Sequence, residues 1–120
     1  MDNTTTISDL KKMIQMFCEE RDWDQFHNPK DLAIGISTEA NELLDIFRFK
    51  SNEQMIEMFG DDIAKTHIKD EIADVLFFVF RFAQMNDLDL DDCITEKLQK
   101  NSQKYTVEKC KGKNLKYTEM

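Results

Sequence analysis

The chain has 120 residues, of which 41% are hydrophobic and 33% charged, and its formal net charge is −8. This length predicts one domain with a single core, and three Gly and one Pro leave few turns for an all-β fold. The negative charge argues against nucleic acid polymers as partners, because phosphate backbones need a basic surface, and no run of about 18 uncharged apolar residues is present to span a membrane.

Apolar spacing predicts an all-α fold, a bundle of four long helices. The predicted ranges are 7–21, 29–50, 66–86 and 89–104, with a shorter helix at 53–59. Thr6 or Ser8 is expected to cap the first helix, and Asn28-Pro29 is a helix start signal for the second. The loop between these two helices carries the only Trp and one of the two His residues.

The third predicted helix contains a run that is apolar on all sides, residues 75–80. A helix of this kind is buried in a bundle or lies at an oligomer interface. A buried strand is the competing interpretation of a short apolar run, but the length of the surrounding pattern favours a helix. Because this surface exceeds what a lone bundle of this size can bury, we expect an oligomer.

The C-terminal part of the chain is basic although the whole protein is acidic. Seven Lys residues lie between Lys97 and Lys116, against the single acid Glu108. We therefore divide the chain into a helical domain, 1–104, and a basic polar tail, 105–120, which is expected to be loosely held or to become ordered on binding. A basic tail on an acidic body is suited to binding an anion.

The number and spacing of the cysteines indicate the redox state of the cellular compartment. Cys18, Cys93 and Cys110 are an odd number with wide spacings, which argues against a zinc motif and against a disulfide framework. The residues before Ser8 also lack the basic and apolar regions of a secretory signal. A reduced, cytoplasmic setting is predicted.

Two short acidic pairs lie in the most apolar stretches of the chain. Glu39 and Glu42 belong to the second predicted helix, and Glu71 and Asp74 belong to the third. Carboxylates three residues apart share one helix face, and ionised groups in an apolar stripe are costly unless they are neutralised. Two such pairs facing each other form an oxygen-only cage that suits Mg²⁺, with Mn²⁺ as the alternative ion.

Other interpretations of these acids remain open at this point. Each pair on its own is typical of a solvated helix face, or of ion pairs with neighbouring cations such as Lys65, Lys69 and Arg48. A di-iron carboxylate bundle also places Glu on inward faces, but it needs Glu-x-x-His on two helices. The sequence has ExxE and ExxD instead, and His67 precedes Glu71 by four residues, so iron is disfavoured.

The chain resembles the MazG-like family of all-α nucleoside triphosphate pyrophosphohydrolases, and within it the dCTP pyrophosphatase type. The family pattern is ExxE, a spacer and ExxD, and the spacer here is residues 43–70. The other motifs that carry the resemblance are Glu20-Arg21-Asp22-Trp23, Phe26-His27-Asn28-Pro29-Lys30-Asp31-Leu32, Lys97 with Asn101, Lys104-Tyr105 and Lys116-Tyr117. Together they cover most of the chain, from about Phe17 to Tyr117.

This resemblance implies a reaction and a set of site residues. The expected reaction cuts a nucleoside triphosphate between its α and β phosphates, releasing a monophosphate and pyrophosphate. The implied metal ligands are Glu39, Glu42, Glu71 and Asp74, with Glu39 and Glu42 also catalytic and Glu39 acting on the water. The implied phosphate-binding residues are Lys97, Asn101, Lys104 and Tyr105, and the implied base-binding residues are His27 and Phe49. Trp23 is a further candidate for contact with the base, with a place in the core as the alternative.

The resemblance also implies a substrate and an assembly. We expect dCTP or modified dCTP as substrate, cleared from the nucleotide pool, and a homodimer or a homotetramer built as a dimer of dimers. Phe49 stands where close relatives often carry Trp, and Phe78 replaces a Tyr, so the base preference is left open. The alternatives are an all-α dUTPase-like enzyme, a phosphoribosyl-nucleotide pyrophosphohydrolase and a non-catalytic regulatory bundle stabilised by metal.

Overall fold

The computed structural model describes residues 1–119, and all regular secondary structure within them is helical. The all-α prediction is confirmed, and the apolar run 75–80 lies inside a helix. The chain divides into two compact units, residues 1–87 and the segment from Leu88 onward. No helix in the described part of the chain is both long and apolar enough to cross a bilayer.

The first unit contains four α-helices and one short 3-10 turn. They are α1 (Ile7–Glu20), the 3-10 turn Asp24–Phe26, α2 (Pro29–Phe47), α3 (Asn52–Met58) and α4 (Asp62–Met85). The cap of α1 is Thr6, which exchanges hydrogen bonds with Asp9 in a capping box. The cap of α2 is Asn28, with Pro29 at the first helical position. Both helix starts agree with the sequence prediction, because capping depends on residues within one turn.

Two helix boundaries differ from the predicted ranges. Helix α2 ends at Phe47 rather than near Lys50, because Ser51 and Gln54 form a capping box that begins α3. The chain turns between these helices with Phe49 at a φ of 64°. Helix α4 begins at Asp62 rather than near Thr66, since the Asp61 side chain accepts a hydrogen bond from the Ala64 amide and starts the helix one turn earlier.

Helix α4 is the centre of the first unit, and it packs against α2 and, less extensively, against α1. Gly35 on α2 lies directly against the ring of Phe78 on α4, and a Cβ added there would come within 2.5 Å of that ring. Glycine therefore permits the close approach of α2 to α4 at this level. This approach lies one turn from the acidic residues on both helices.

The buried interior of the first unit is small. Its fully buried apolar residues are Cys18, Leu32, Ile68 and Ala83. In the middle of α4, Ile72 and Leu76 are each 46% exposed. A helix that carries large apolar side chains on an exposed face has surface left to cover.

The second unit contains α5 (Leu90–Lys104), capped by Asp89, and the shorter α6 (Val107–Cys110), capped by Thr106. A 3-10 turn covers Tyr117–Glu119. The segment expected as a loosely held tail thus contains short helical elements. The Tyr105 and Tyr117 rings meet edge to face with centroids 6.0 Å apart, and this contact joins the end of α5 to the last turn.

A buried arginine anchors the loop between α1 and α2. Arg81 on α4 is 1% exposed, and its guanidinium donates to Asp24 Oδ1, to His27 Nδ1 at 2.9 Å and to Gln84 Oε1 at 2.7 Å. Burial, and then the nearby Arg81 charge, lower the pKa of His27, which favours a neutral imidazole that accepts at Nδ1. A charge so fully buried is tolerated because its donors are satisfied.

We predict that Arg81→Met lowers the free energy of unfolding by about 2 kcal/mol, because hydrogen bonds to charged groups contribute about this much. The remaining Asp24 carboxylate is 47% exposed, so water can solvate it and the loss stays moderate. Denaturant unfolding followed by the emission of Trp23, the only Trp, measures the change. The control is Arg48→Met, which removes an arginine with a 62% exposed side chain and is expected to change stability by less than about 0.5 kcal/mol. Equal stability of the two variants would contradict the anchoring role.

Candidate active site

The packing of α2 against α4 brings acidic residues from both predicted pairs together. Glu39, Glu42 and Glu71 each place one carboxylate oxygen within 4.8 Å of the other two. We call these three residues the acidic cluster. Asp74 is outside this group of three, but it lines a pocket that Glu39 also lines. The helix faces predicted to oppose each other therefore do so.

Two oxygen atoms of the acidic cluster are buried without a hydrogen-bond partner, Glu39 Oε2 and Glu71 Oε2. Buried polar atoms are almost always paired, because leaving them unpaired is costly. An orphaned carboxylate oxygen beside two other carboxylates matches the all-oxygen donor set that hard divalent cations prefer. The residues present thus fit a bound divalent cation.

The electrostatics of the cluster oppose ionisation of Glu39 and Glu71. Burial raises the pKa of Glu39 to about 7, and the adjacent Glu42 carboxyl adds to this through a hydrogen bond and through repulsion. Burial also raises the pKa of Glu71, whose side chain is 12% exposed, and Glu42 and Asp74 act in the same direction. Close carboxylates hold protons in this way unless a cation replaces them.

His67 lies beside the acidic cluster and was not predicted as a site residue. Its Nε2 is 3.5 Å from Glu71 Oε1, and its side chain is mostly exposed. The spacing of four residues, which excluded a di-iron motif, places His67 on the same face of α4 as Glu71. The four-residue spacing of His67 and Glu71 is visible in the sequence, and it could have identified His67 as a neighbour of the site.

A pocket of about 510 Å³ in the first unit adjoins these acids, because Glu39 and Asp74 are among its lining residues. The other residues named in its lining are Met13, Ile14, Phe17, Trp23, Phe77 and Phe78. Ile14 and Phe17 recur at the apolar spacing of a core-facing helix in α1. Their local sequence pattern does not indicate that they line a pocket, because this depends on how α1 packs on α4.

The three predicted base-binding residues have different surroundings. Trp23 lines the pocket and meets Phe17 edge to face, with ring centroids 5.6 Å apart. His27 lies next to Trp23, with centroids 6.3 Å apart, and its Nδ1 is occupied by Arg81. Phe49 is 90% exposed and lies under the Arg48 guanidinium. Neither His27 nor Phe49 is among the residues named in the pocket lining, and their base-binding roles stay predictions.

The predicted phosphate-binding residues all belong to the second unit. Lys97, Asn101 and Lys104 recur along α5 at spacings of four and three, which places them on one side of that helix. Tyr105 ends α5, and its amide donates to the Asn101 carbonyl at 2.7 Å. The Lys104 ammonium lies 5.3 Å from the centre of the Tyr117 ring. Their role toward phosphate stays a prediction.

Comparison with known proteins gives consistent results. The MazG-like family model matches residues 34–120. The chain is 30% identical to mouse dCTP pyrophosphatase 1 over 115 residues, covering 96% of this chain and 68% of the relative. The human dCTP pyrophosphatase 1 is 27% identical over the same length and with the same coverage.

A solved structure has the same fold. The crystal structure of a pyrophosphatase from Archaeoglobus fulgidus superposes with a TM-score of 0.76 and 31% sequence identity, covering 82% of this chain and 91% of that one. These similarities confirm the predicted enzyme class, a nucleotide pyrophosphatase. They also confirm the predicted family: the chain belongs to the MazG-like family.

Proposed function

We propose that this protein is a Mg²⁺-dependent nucleoside triphosphate pyrophosphohydrolase that converts a dNTP into a dNMP and pyrophosphate. The observation that carries the proposal is the convergence of Glu39, Glu42 and Glu71, with two buried oxygens left unpaired. Likeness to the dCTP pyrophosphatases supports dCTP or modified dCTP as substrate and clearance of the nucleotide pool as the purpose. Free thiols at Cys18 and Cys93 agree with a cytoplasmic setting.

The acidic cluster and Asp74 would hold the cation, with Mn²⁺ as an alternative to Mg²⁺. When bound, such a cation neutralises triphosphate charge and lowers the pKa of water. Phosphoryl transfer needs this electrostatic support more than it needs covalent chemistry. The protein supplies rigid placement, because α2 and α4 are packed helices rather than loops.

Glu39 is our candidate general base, and Glu42, in contact with it, our candidate for orienting it. The buried oxygen Oε2 of Glu39 has no hydrogen-bond partner, so it is available to accept a proton from water. In the proposed step the oxygen of a water molecule forms a bond to the α phosphorus, and a proton of that water passes to Glu39. The bond to the oxygen that bridges the α and β phosphates breaks, and pyrophosphate leaves.

The remaining site residues follow the family resemblance. We propose that Lys97, Asn101, Lys104 and Tyr105 bind the phosphates, since lysine suits phosphate as a point charge. We propose that Trp23, His27 and Phe49 contact the base.

We also propose that the protein is a homodimer or a dimer of dimers. The support is the exposed apolar ridge of α4, where Ile72 and Leu76 lie one turn apart and are each nearly half exposed. Isologous packing of such ridges is a common route to symmetric oligomers.

We predict that Glu71→Gln lowers the turnover of dCTP by at least about 100-fold. Loss of a metal ligand should lower activity more than loss of a residue that only orients a ligand. Release of pyrophosphate in the presence of Mg²⁺ is the measurement. The matched control is Glu53→Gln, an exposed residue in the first turn of α3, which should retain activity. Turnover by Glu71→Gln equal to that of the control would refute the cation site.

Pyrophosphate release from a panel of nucleotides distinguishes the alternative functions, which are a regulatory bundle, a dUTPase-like enzyme and a phosphoribosyl-nucleotide pyrophosphohydrolase. A regulatory bundle would release no pyrophosphate from any nucleotide. A dUTPase-like enzyme would act on dUTP alone, and a phosphoribosyl-nucleotide enzyme would act on none of the common dNTPs.

A second prediction concerns pH and follows from the raised pKa of Glu39. Between the ordinary value of 4.5 and about 7, folded protein holds a proton that the unfolded chain has lost. Ionisation of Glu39 therefore lowers the free energy of unfolding. This loss of stability is absent below pH 4.5 and complete above pH 7. In EDTA, the melting temperature of the wild type should fall relative to that of Glu39→Gln as the pH rises from 5 to 8.

Addition of Mg²⁺ at pH 8 should raise the melting temperature of the wild type more than that of Glu39→Gln, because the cation replaces the missing proton. At pH 5 the increase should be smaller. A Mg²⁺-induced increase that is independent of pH and of Glu39 would contradict the assignment.

A third prediction tests the assembly. Light scattering after size exclusion should give two or four times the chain mass of 14.2 kDa, and Leu76→Glu should lower that mass by placing a charge in the interface. Lys69→Glu, also on α4 but exposed and polar, serves as the control for added negative charge. A wild-type mass of one chain would refute the proposal.

A further inference from the structure

One acid of the acidic cluster, Glu71, is in contact with a basic side chain. His67 Nε2 lies 3.5 Å from Glu71 Oε1, and the two residues are four positions apart on α4. Side chains on a helix lean toward the preceding turn, so the Glu71 carboxyl extends over the turn that carries His67. The geometry of the helix therefore brings this imidazole to this carboxyl.

The two oxygens of Glu71 have different surroundings. Oε1 faces His67, whereas Oε2 is buried and has no hydrogen-bond partner. The Glu71 side chain is 12% exposed and that of His67 is 60% exposed, so the imidazole is the member of the pair in contact with water. This arrangement directs one oxygen to His67 and leaves the buried oxygen available for a cation.

The position of His67 fits support of a ligand rather than direct ligation. Among the residues that the structure describes, the donor atoms within 4.8 Å of one another at this site come from Glu39, Glu42 and Glu71, and His67 is not in that group. Carboxylate oxygens suit Mg²⁺ and Mn²⁺, whereas imidazole nitrogens suit metals such as Ni²⁺ and Zn²⁺. His67 therefore reaches the cluster through Glu71.

The contact needs no charge on the imidazole ring. A neutral imidazole with its proton on Nε2 is a hydrogen-bond donor, and so is an imidazolium. The separation of 3.5 Å is longer than the usual N–H···O distance of about 2.9 Å, and a small rotation of the exposed ring shortens it. A donor on Oε1 opposes rotation of the carboxyl group, and this keeps Oε2 directed into the cluster.

We propose that His67 is a positioning residue that orients Glu71 for cation binding. The inference rests on the proposed function and deepens its cation site. His67 Nε2 donates to Glu71 Oε1, and Glu71 Oε2 is thereby held beside the carboxyls of Glu39 and Glu42. Because His67 acts through a ligand, its loss weakens cation binding and leaves the chemical step itself in place.

The first test measures the affinity of the full-length protein for Mg²⁺ alone, without nucleotide, by isothermal titration calorimetry. His67→Leu removes the donor, and it should weaken Mg²⁺ binding by about 10 to 100-fold, as loss of an outer hydrogen bond to a metal ligand does. His67→Gln restores an uncharged N–H donor of similar reach and should retain most of the affinity. Equal losses in the two variants would overturn the proposal.

The matched control is Thr66→Leu, which places the same apolar side chain at the adjacent exposed position of α4. Thr66 is five residues from Glu71 and so lies on a different face of the helix. This variant should bind Mg²⁺ as the wild type does. Affinity of His67→Leu equal to that of Thr66→Leu would refute the positioning role, and melting temperatures in EDTA verify that all three variants are folded.

Two further measurements separate positioning from other roles. The Mg²⁺ concentration that gives half-maximal pyrophosphate release should rise in His67→Leu by the same factor as the dissociation constant, and saturating Mg²⁺ should restore turnover. Turnover that stays low at saturating Mg²⁺ would place His67 in the chemical step and overturn the proposal. Affinities for Mg²⁺ and Ni²⁺ should fall by a common factor, whereas a loss confined to Ni²⁺ would show direct ligation by imidazole and also overturn it.

Failure of this inference is distinguishable from failure of the proposed function. If the wild type does not bind Mg²⁺, or if Glu71→Gln binds it as the wild type does, the cation site itself is refuted. If Glu71→Gln loses Mg²⁺ binding but His67→Leu keeps it, the cation site stands and the role of His67 is refuted.

Discussion

Neighbouring carboxylate oxygens held out of water between α2 and α4 constrain the whole of the first unit. The packing of α2 on α4 that forms the first unit also brings Glu39, Glu42 and Glu71 within contact of one another. Burial and repulsion together raise the pKa of Glu39 to about 7. Packing of α2 on α4 thus has an electrostatic cost, because it disfavours the ionised form of Glu39.

The structure treats its other buried charge differently. Arg81 is fully enclosed, but its three acceptors lie on the loop before α2 and on α4 itself. The arginine is satisfied by the protein alone, whereas Glu39 Oε2 and Glu71 Oε2 are not. This difference separates a structural charge from a functional one: the first completes its hydrogen bonds on folding, and the second keeps oxygens available for a ligand.

The anchored loop links these two features. Arg81 holds Asp24 and His27, and Trp23, the residue immediately before Asp24, lines the pocket. The pocket in turn shares Glu39 with the acidic cluster. A single helix, α4, therefore supplies part of the acidic cluster, part of the aromatic wall and the anchor of the loop. Membership of the MazG-like family is consistent with a site built on packed helices.

The helix starts and the acidic pairs along each helix could be predicted from the sequence alone. The caps at Thr6 and Asn28, the helical state of residues 75–80 and the placement of each acidic pair on one helix face depend on neighbours within one or two helical turns. Such short-range preferences can be read directly from spacing. The family motifs could be recognised for the same reason, since they too are patterns along the chain.

Only the tertiary structure decided which distant residues meet. Arg81 lies more than fifty positions from Asp24 and His27 along the chain, and no local pattern indicates that pairing. The turn that leaves Phe49 exposed, the contribution of α1 to the pocket and the separation of Asp74 from the closest three acids likewise depend on helix packing. The reason is that these contacts form only when whole helices pack, and the apolar burial that drives packing is non-directional, so the sequence does not mark which distant residues will meet.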